Sequence, residues 1–224
     1  MSKVIGLVMD ISLIRKKIEL YISQGKSLFC TSSFQSHSIV LLHILSRIDN
    51  SIPVYFINTG YHFAETIAFK NSIESSMGIR VINLNSMVPK IMQRNDEGNL
   101  LFTTNPVYCC YLNKVQPVEN LLNMFDVWIN GIRADQNESR RNVLLEQFIN
   151  GNKTIRYHPM LDWTREMVEK YIAHFRLPRH PLEKKGYRSI GCEPCTQPAS
   201  FKGERSGRWP GQKQTECGLN DELL

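Results

Sequence analysis

Five of the six cysteines in this 224-residue chain stand where a thiol can bind metal or react. Cys109 and Cys110 are adjacent. Cys192 and Cys195 flank Glu193-Pro194, and Cys217 lies in Glu216-Cys217-Gly218-Leu219-Asn220. Two tight pairs supply four thiolates, a set that suits tetrahedral zinc or an iron–sulfur cubane. The CxxC pair is the stronger half of that pattern. Adjacent cysteines diverge on most backbones, yet at a helix end or turn two such thiolates can reach different irons of one cluster. The alternative is four buried cysteines that share no ligand. Cys217 is a lone thiol in a polar, glycine-flanked tail. A reactive thiolate needs access and electropositive surroundings, and Lys202, Arg205, Arg208 and Lys213 are candidates to provide them. The alternative there is an incidental terminal cysteine. Cys30 sits in an apolar run and reads as core.

Two further groupings suit anions. Gly131, Arg133, Gln136, Ser139 and Arg140 follow a predicted strand, and forked guanidinium groups at a strand end match phosphate or sulfate oxygens. Thr31-Ser32-Ser33-Phe34-Gln35-Ser36-His37-Ser38 joins a predicted strand to a helix, where amides and hydroxyls cradle anions. It is not a Walker loop, because GxxxxGK[ST] is absent. A solvated charged loop and an ordinary serine-rich turn are the plainer readings of these two segments.

The elements that must position these residues alternate. The apolar spacing of Ile14, Ile18 and Tyr21 predicts an amphipathic helix over Ile11–Ser23. A strand is expected at Ser27–Ser33, a helix at His37–Arg47, a strand at Pro53–Ile57 and a helix at Phe63–Met77 stopped by Gly78. A third strand follows at Arg80–Leu84, then a largely helical Val107–Phe125 and strands at Asp126–Asn130 and Ile155–Met160. The last helix is Asp162–Phe175, with Asp162 or Thr164 as its N-cap. Such alternation implies one α/β domain, a mostly parallel sheet flanked by helices, with ligands beyond the carboxyl ends of the strands. The turns Ser32-Ser33-Phe34, Asn58-Thr59-Gly60 and Gly131-Ile132-Arg133 fall there.

After Leu177 the texture changes. Pro178 to Gly218 is rich in proline and glycine and has no periodicity, so the chain divides into an α/β body, 1–177, and an irregular tail, 178–224. Three cysteines and several arginines in that tail favour a lid over disorder. Composition is that of a globular protein, 42% hydrophobic and 21% charged. No apolar run reaches the roughly 18 residues that span a bilayer. The N-terminus lacks the basic start and small-residue cleavage site of an export leader, so a cytoplasmic location is expected and structural disulfides are not. The net charge of +6 fits a nucleotide or a nucleic acid and decides between neither.

Taken together, these segments resemble the phosphoadenylyl-sulfate reductase family from about Ser27 to Asn220. Thr31-Ser32-Ser33-Phe34 is similar to its modified pyrophosphatase-type loop, and Asn58-Thr59-Gly60-Tyr61-His62-Phe63-Ala64-Glu65-Thr66 to its DTGxxFPET segment. Cys109-Cys110 with Asn113-Lys114-Val115-Gln116-Pro117 resembles CCxxxKVxP. Gly131-Ile132-Arg133 with Gln136 and Arg140 resembles GxRxxQxxxR. Pro159 to Trp163, His180-Pro181-Leu182, Gly186-Tyr187, Ser189 to Cys192, Cys195-Thr196, Arg205, Gly207-Arg208-Trp209 and Glu216 to Leu219 follow in family order.

The resemblance implies an adenine nucleotide alpha hydrolase-like fold. It implies reduction of adenylyl sulfate to sulfite and AMP, in assimilatory sulfate reduction, with thioredoxin or a similar dithiol protein as reductant. Cys217 is then the nucleophile that carries an S-sulfonate. Ser32, Ser33, Thr59, Gly60, Lys114, Arg133, Arg140, Arg205 and Arg208 are the substrate-binding residues. Cys109, Cys110, Cys192 and Cys195 resemble the ligands of the branch with a [4Fe–4S] cluster, which typically uses adenylyl sulfate rather than its 3′-phosphorylated form. Gln35, Asn58 and Asn220 depart from the family pattern, where Gly, Asp and His are usual. The alternatives are a reductase of the 3′-phosphorylated nucleotide and a thiolating ATP pyrophosphatase; the latter needs a fuller SGGxDS loop than Thr31–Ser38 provides. A zinc-bearing nucleic-acid module calls for basic residues interleaved with aromatics, and the arginines cluster around the motifs instead. Neither a nucleic acid nor a membrane is expected as partner. The oligomeric state stays open, a homo-oligomer included.

Overall fold

The computed structural model describes residues 2–149, 153–200, 203–211, 216 and 218–221. Its elements run α1 (Ser2–Ser23), β1 (Leu28–Thr31), α2 (Ser36–Ser46), β2 (Val54–Asn58), α3 (Ala64–Met77) and β3 (Val81–Asn85). Then come α4 (Leu101–Thr104), α5 (Pro106–Cys110), a π-helical turn (Tyr111–Val115), α6 (Gln116–Leu122) and β4 (Val127–Ile129). β5 (Glu146–Phe148), β6 (Ile155–Tyr157), α7 (Arg165–Phe175) and the short α8 (Gly218–Asp221) complete the order.

The six strands form one sheet in the order β3-β2-β1-β4-β6-β5. All neighbours are parallel except β5, which runs antiparallel to β6 at one edge. Leu28, Phe29, Cys30 and Thr31 of the central strand are all buried, because helices cover both faces of a parallel sheet. Side chains still alternate between the faces. Leu28, Cys30, Val127 and Ile129 join a core with Ile14, Ile18 and Tyr21 of α1 and with α2 and α7. Phe29 and Trp128 point the other way, onto Val118, Leu121 and Leu122 of α6. β1 lies between β2 and β4, so successive connections leave it in opposite directions, and the crevice at their carboxyl ends is a topological switch point.

Local chemistry explains the boundaries. Gly78 ends α3 at φ +61°, a conformation in which a Cβ is strained. Thr164 caps α7 by accepting from Met167 N at 3.3 Å, so the helix begins after it rather than at Asp162. The expected helix over Val107–Phe125 is interrupted by the π turn. Pro117 has no N–H to donate to the carbonyl of Asn113, and that loosens the ladder there. α1 starts well before the expected Ile11. The sequence reading missed β5: three residues with an exposed Phe148 at a sheet edge carry no periodicity.

Residues after Leu177 return over the carboxyl ends of the strands. His180 N donates to Ser36 Oγ at 2.8 Å, Ile190 N to Gln35 Oε1 at 2.7 Å and Glu193 N to the Tyr61 carbonyl at 2.7 Å. Among the described residues, no helix is long and apolar enough to cross a membrane.

Candidate active site

A cavity of about 200 Å³ opens at the switch point. The loop after β1 contributes Ser32 and Ser33. The Ser33 hydroxyl lies 3.0 Å from that of Ser38, and Ser32 Oγ accepts from Phe34 N at 3.2 Å. Phe34 holds φ +54°, unusual for a residue with a side chain, and its ring is wholly buried against Phe56. Gln35, at the N-cap of α2, makes no cap bond. Its amide spans the cavity wall instead, donating to Ser33 Oγ at 3.2 Å while accepting from Ile190 N.

After β2, Asn58 Oδ1 accepts from Gly60 N at 3.1 Å and folds the turn. Thr59 lines the cavity and its hydroxyl lies 3.3 Å from Cys192 Sγ. Gly60 has φ +66° and packs on Lys90 rather than on the cavity. His62 Nε2 lies 2.9 Å from the Ile57 carbonyl and 3.3 Å from Thr59 N. Burial holds this imidazole neutral, with its pKa pulled down to about 4.

The loop after β4 brings Asn130, Gln136 and Arg140. Asn130 Oδ1 is fixed at 2.6 Å by His158 Nδ1, and burial and Arg156 lower that histidine's pKa to about 3. Arg133 is buried but points away. It pairs with Asp135 at 2.9 Å and lines an adjoining cavity of about 210 Å³. From the tail come Arg205 and Arg208. The Arg208 guanidinium lies against Gly191, where a Cβ would meet it at 2.3 Å, and 4.5 Å from the Trp209 ring centroid. Lys114, Arg140, Arg156, Arg205 and Arg208 face this cavity against two carboxylates, Glu204 and Glu216. That excess of positive charge in a walled crevice attracts a polyanion.

Behind Thr59 lies a smaller apolar pocket lined by all four paired cysteines. All four are buried and in no disulfide. Pro106 starts α5, and Asn105 caps it by accepting from Tyr108 N at 3.0 Å, so Cys109 and Cys110 fall in its last turn. The Cys192–Cys195 turn is closed by Cys195 N donating to the Cys192 carbonyl at 3.0 Å and pinned by Trp209 N on the Cys195 carbonyl at 2.9 Å. Burial first, and then Cys110 and Cys192, push the Cys109 thiol up to about 12. Burial and Cys192 push Cys195 the same way. Lys114 joins the two spaces: it lines both, with Nζ 3.7 Å from Cys110 Sγ. Asn113 Nδ2 donates to Cys109 Sγ at 3.7 Å. No three Cys, His, Asp or Glu side chains among the described residues are arranged to hold a single metal ion.

The structure therefore gathers Ser32, Ser33, Thr59, Lys114, Arg140, Arg205 and Arg208 in one cavity and the four paired cysteines in another. It leaves Gly60 and Arg133 outside the first cavity. Cys217 lies outside the described residues; Glu216 before it and Leu219 beyond it both line the main cavity. Asn220 is described in backbone only. Cys30, expected in the core, is fully buried and burial raises its pKa. Sequence reasoning missed Gln35 as a bridge, together with His62, Asn130, Arg156 and Glu216. Arg156 carried a readable cue: a lone arginine between Ile155 and Tyr157 in an apolar strand. It is fully buried, 4.3 Å from the Trp128 ring centroid.

An open, mostly parallel sheet with a cationic crevice at its switch point defines a nucleotide-binding α/β protein, here with a four-thiol pocket one side chain away. The chain belongs to the phosphoadenosine phosphosulfate reductase domain family, whose model matches residues 27–198. It is 38% identical over 182 residues to an adenosine 5′-phosphosulfate reductase of Rhodococcus opacus, covering 81% of this chain and 74% of that one. It is 39% identical over 182 residues to the enzyme of that name from Mycobacterium tuberculosis, covering 81% and 72%. A crystal structure of phosphoadenylyl-sulfate reductase from Candida auris shares the fold at TM-score 0.67, with 19% identity over 82% of this chain and 89% of that one.

Proposed function

We propose that this chain reduces adenylyl sulfate to sulfite and AMP through an S-sulfonate on Cys217, with thioredoxin or a similar dithiol protein as electron donor. The observation that carries the reading is the cationic crevice between the Ser32–Ser33 loop and the tail segment that bears Cys217. It occurs in a chain 38–39% identical to relatives named for this substrate. The nucleotide lies in the crevice, with Ser32, Ser33 and Thr59 facing it. Lys114 and Arg208 hold the phosphosulfate and offset charge on the departing phosphate. Arg140 and Arg205 also line the crevice, but they are engaged by Glu216. The Cys217 thiolate attacks sulfur, the anhydride S–O bond breaks and its electron pair leaves with AMP. One thiolate of the dithiol protein then attacks Cys217 Sγ and expels sulfite. Its second thiol resolves the mixed disulfide, which returns Cys217 and leaves the partner oxidised by two electrons.

Cys109, Cys110, Cys192 and Cys195 share one buried pocket, and four thiolates from two tight pairs suit a [4Fe–4S] cluster. A bound cluster would supply cationic iron that stabilises these four side chains as thiolates, which would otherwise repel one another, and would tie Cys192 and Cys195 of the tail to Cys109 and Cys110 of the body. The body, 1–177, then carries the nucleotide, and the tail, 178–224, carries two ligands and the nucleophile. Activity of this kind belongs in the cytoplasm, where thiols stay reduced. The test is sulfite release with adenylyl sulfate and with its 3′-phosphorylated form, each with reduced thioredoxin. A higher kcat/KM for adenylyl sulfate supports the reading. Preference for the 3′-phosphorylated form moves the chain to that substrate, and sulfite from neither sinks the proposal.

A further inference from the structure

We infer that Glu216 is the positioning residue for the nucleophile, acting through its chain neighbour Cys217; this rests on the reaction proposed above. Its side chain is 2% exposed on the cavity wall. Oε2 accepts from Asn137 Nδ2 at 2.7 Å and from Arg140 Nε at 2.8 Å, and Oε1 accepts from Arg205 Nη2 at 2.8 Å. A carboxylate this buried persists only because charged donors replace its water.

The slot is built in advance of its occupant. Asn137 Oδ1 accepts from Arg140 N at 3.1 Å and from Ser139 Oγ at 3.1 Å, which turns the Asn137 amide N–H groups toward Glu216. Gln136 Oε1 accepts from Arg140 Nη1 and fixes that guanidinium. On the far side of Cys217, Leu219 packs on the apolar cluster of Val115, Leu121 and Trp128. A polar pin and an apolar pin thus straddle residue 217. Consecutive Cα atoms are only about 3.8 Å apart, so an anchored Glu216 bounds how far the next residue in the chain can travel. The same contacts compensate the charges of Arg140 and Arg205.

The test uses the full-length, iron-loaded protein with Glu216→Ala, Glu216→Gln and Glu216→Asp. In a single turnover with adenylyl sulfate, S-sulfonate formation falls about 100-fold in the first two, the scale set by displacing a reacting group by about 1 Å. AMP affinity, measured by calorimetry, does not weaken, because two guanidinium groups are released rather than removed. Glu216→Asp, which keeps the charge, recovers part of the rate. Alkylation of Cys217 by iodoacetamide needs no substrate and is faster in Glu216→Ala than in the parent.

Unchanged alkylation or unchanged single-turnover rate overturns the inference. Parallel loss of AMP affinity and rate also overturns it, and makes Glu216 part of the anion site instead. If Glu216→Ala does not fold, Asn137→Ala removes one donor and leaves both ion pairs; a rate equal to the parent's then refutes the role. A parent protein that forms no adduct while the alkylation difference persists refutes the proposed reaction and not the positioning.

Discussion

Replacing Gln35 separates the two jobs its amide performs. In Gln35→Ala the Ile190 N–H, on a residue 4% exposed, loses its 2.7 Å acceptor and Ser33 Oγ loses a donor. An orphaned buried donor costs about 1–3 kcal/mol. For a chain of this size that lowers the thermal midpoint by roughly 3–10 °C. Gln35→Glu keeps an acceptor for Ile190 and so preserves most of that stability. It puts a negative charge into the crevice, however, where an anion must sit. Two like charges about 4–8 Å apart at an effective dielectric near 20 repel by roughly 2–4 kcal/mol, a loss of about 30- to 1,000-fold in affinity. Thermal melts and calorimetric titration with AMP read the two effects separately. The alanine variant melts low and binds AMP within several-fold of the parent, whereas the glutamate variant melts near the parent and binds AMP far more weakly. Equal melting of the alanine variant, or undiminished AMP binding by the glutamate variant, refutes this account of the loop.

Three further outcomes are expected. Cys217→Ser keeps its iron content and AMP binding but releases no sulfite, because a serine hydroxyl is essentially un-ionised at neutral pH; intact-mass analysis of the parent with substrate and no reductant shows one added SO₃, which peptide mapping places on Cys217. Anaerobically purified protein contains about four irons per chain and Cys192→Ala loses them; one zinc and no iron would exclude the cluster. Stability falls as pH drops below 6.5, because His158 and His180 are buried neutral with pKa values lowered to about 3 and 4. The unfolded chain binds their protons first, so the stabilisation is complete above pH 6.5 and is lost toward pH 4, at up to about 1.4 kcal/mol per histidine per pH unit. Urea midpoints that match at pH 7 and pH 5 contradict this.

Much of the fold was legible because it is written in local periods. Ile14, Ile18 and Tyr21 were expected on one face of a helix and are buried on it. The strand–helix alternation is carried by short apolar runs, and Gly78 stops α3 where its backbone requires a glycine. β5 and the π turn were not legible. The first exists only because β6 offers an open edge. The second depends on where Pro117 falls within a helix whose pattern otherwise continues.

Among the site residues, the sequence by itself determined identities: two cysteine pairs, a serine-rich turn, and arginines in an order that resembles one family. Only the tertiary structure decided their partners. Arg133 and Arg140 stand in one motif, yet the loop after β4 turns the first onto Asp135 and the second into the crevice. Glu216 read only as a letter beside Cys217, and packing made it the buried carboxylate that engages Arg140 and Arg205. Gln35 read as a departure from a pattern and is a bridge from the loop to the tail. The reason is physical. A periodic pattern reports which face of an element is apolar, whereas the pairing of two charges depends on distances between segments far apart in the chain, and those are fixed only when the core brings the strand ends together.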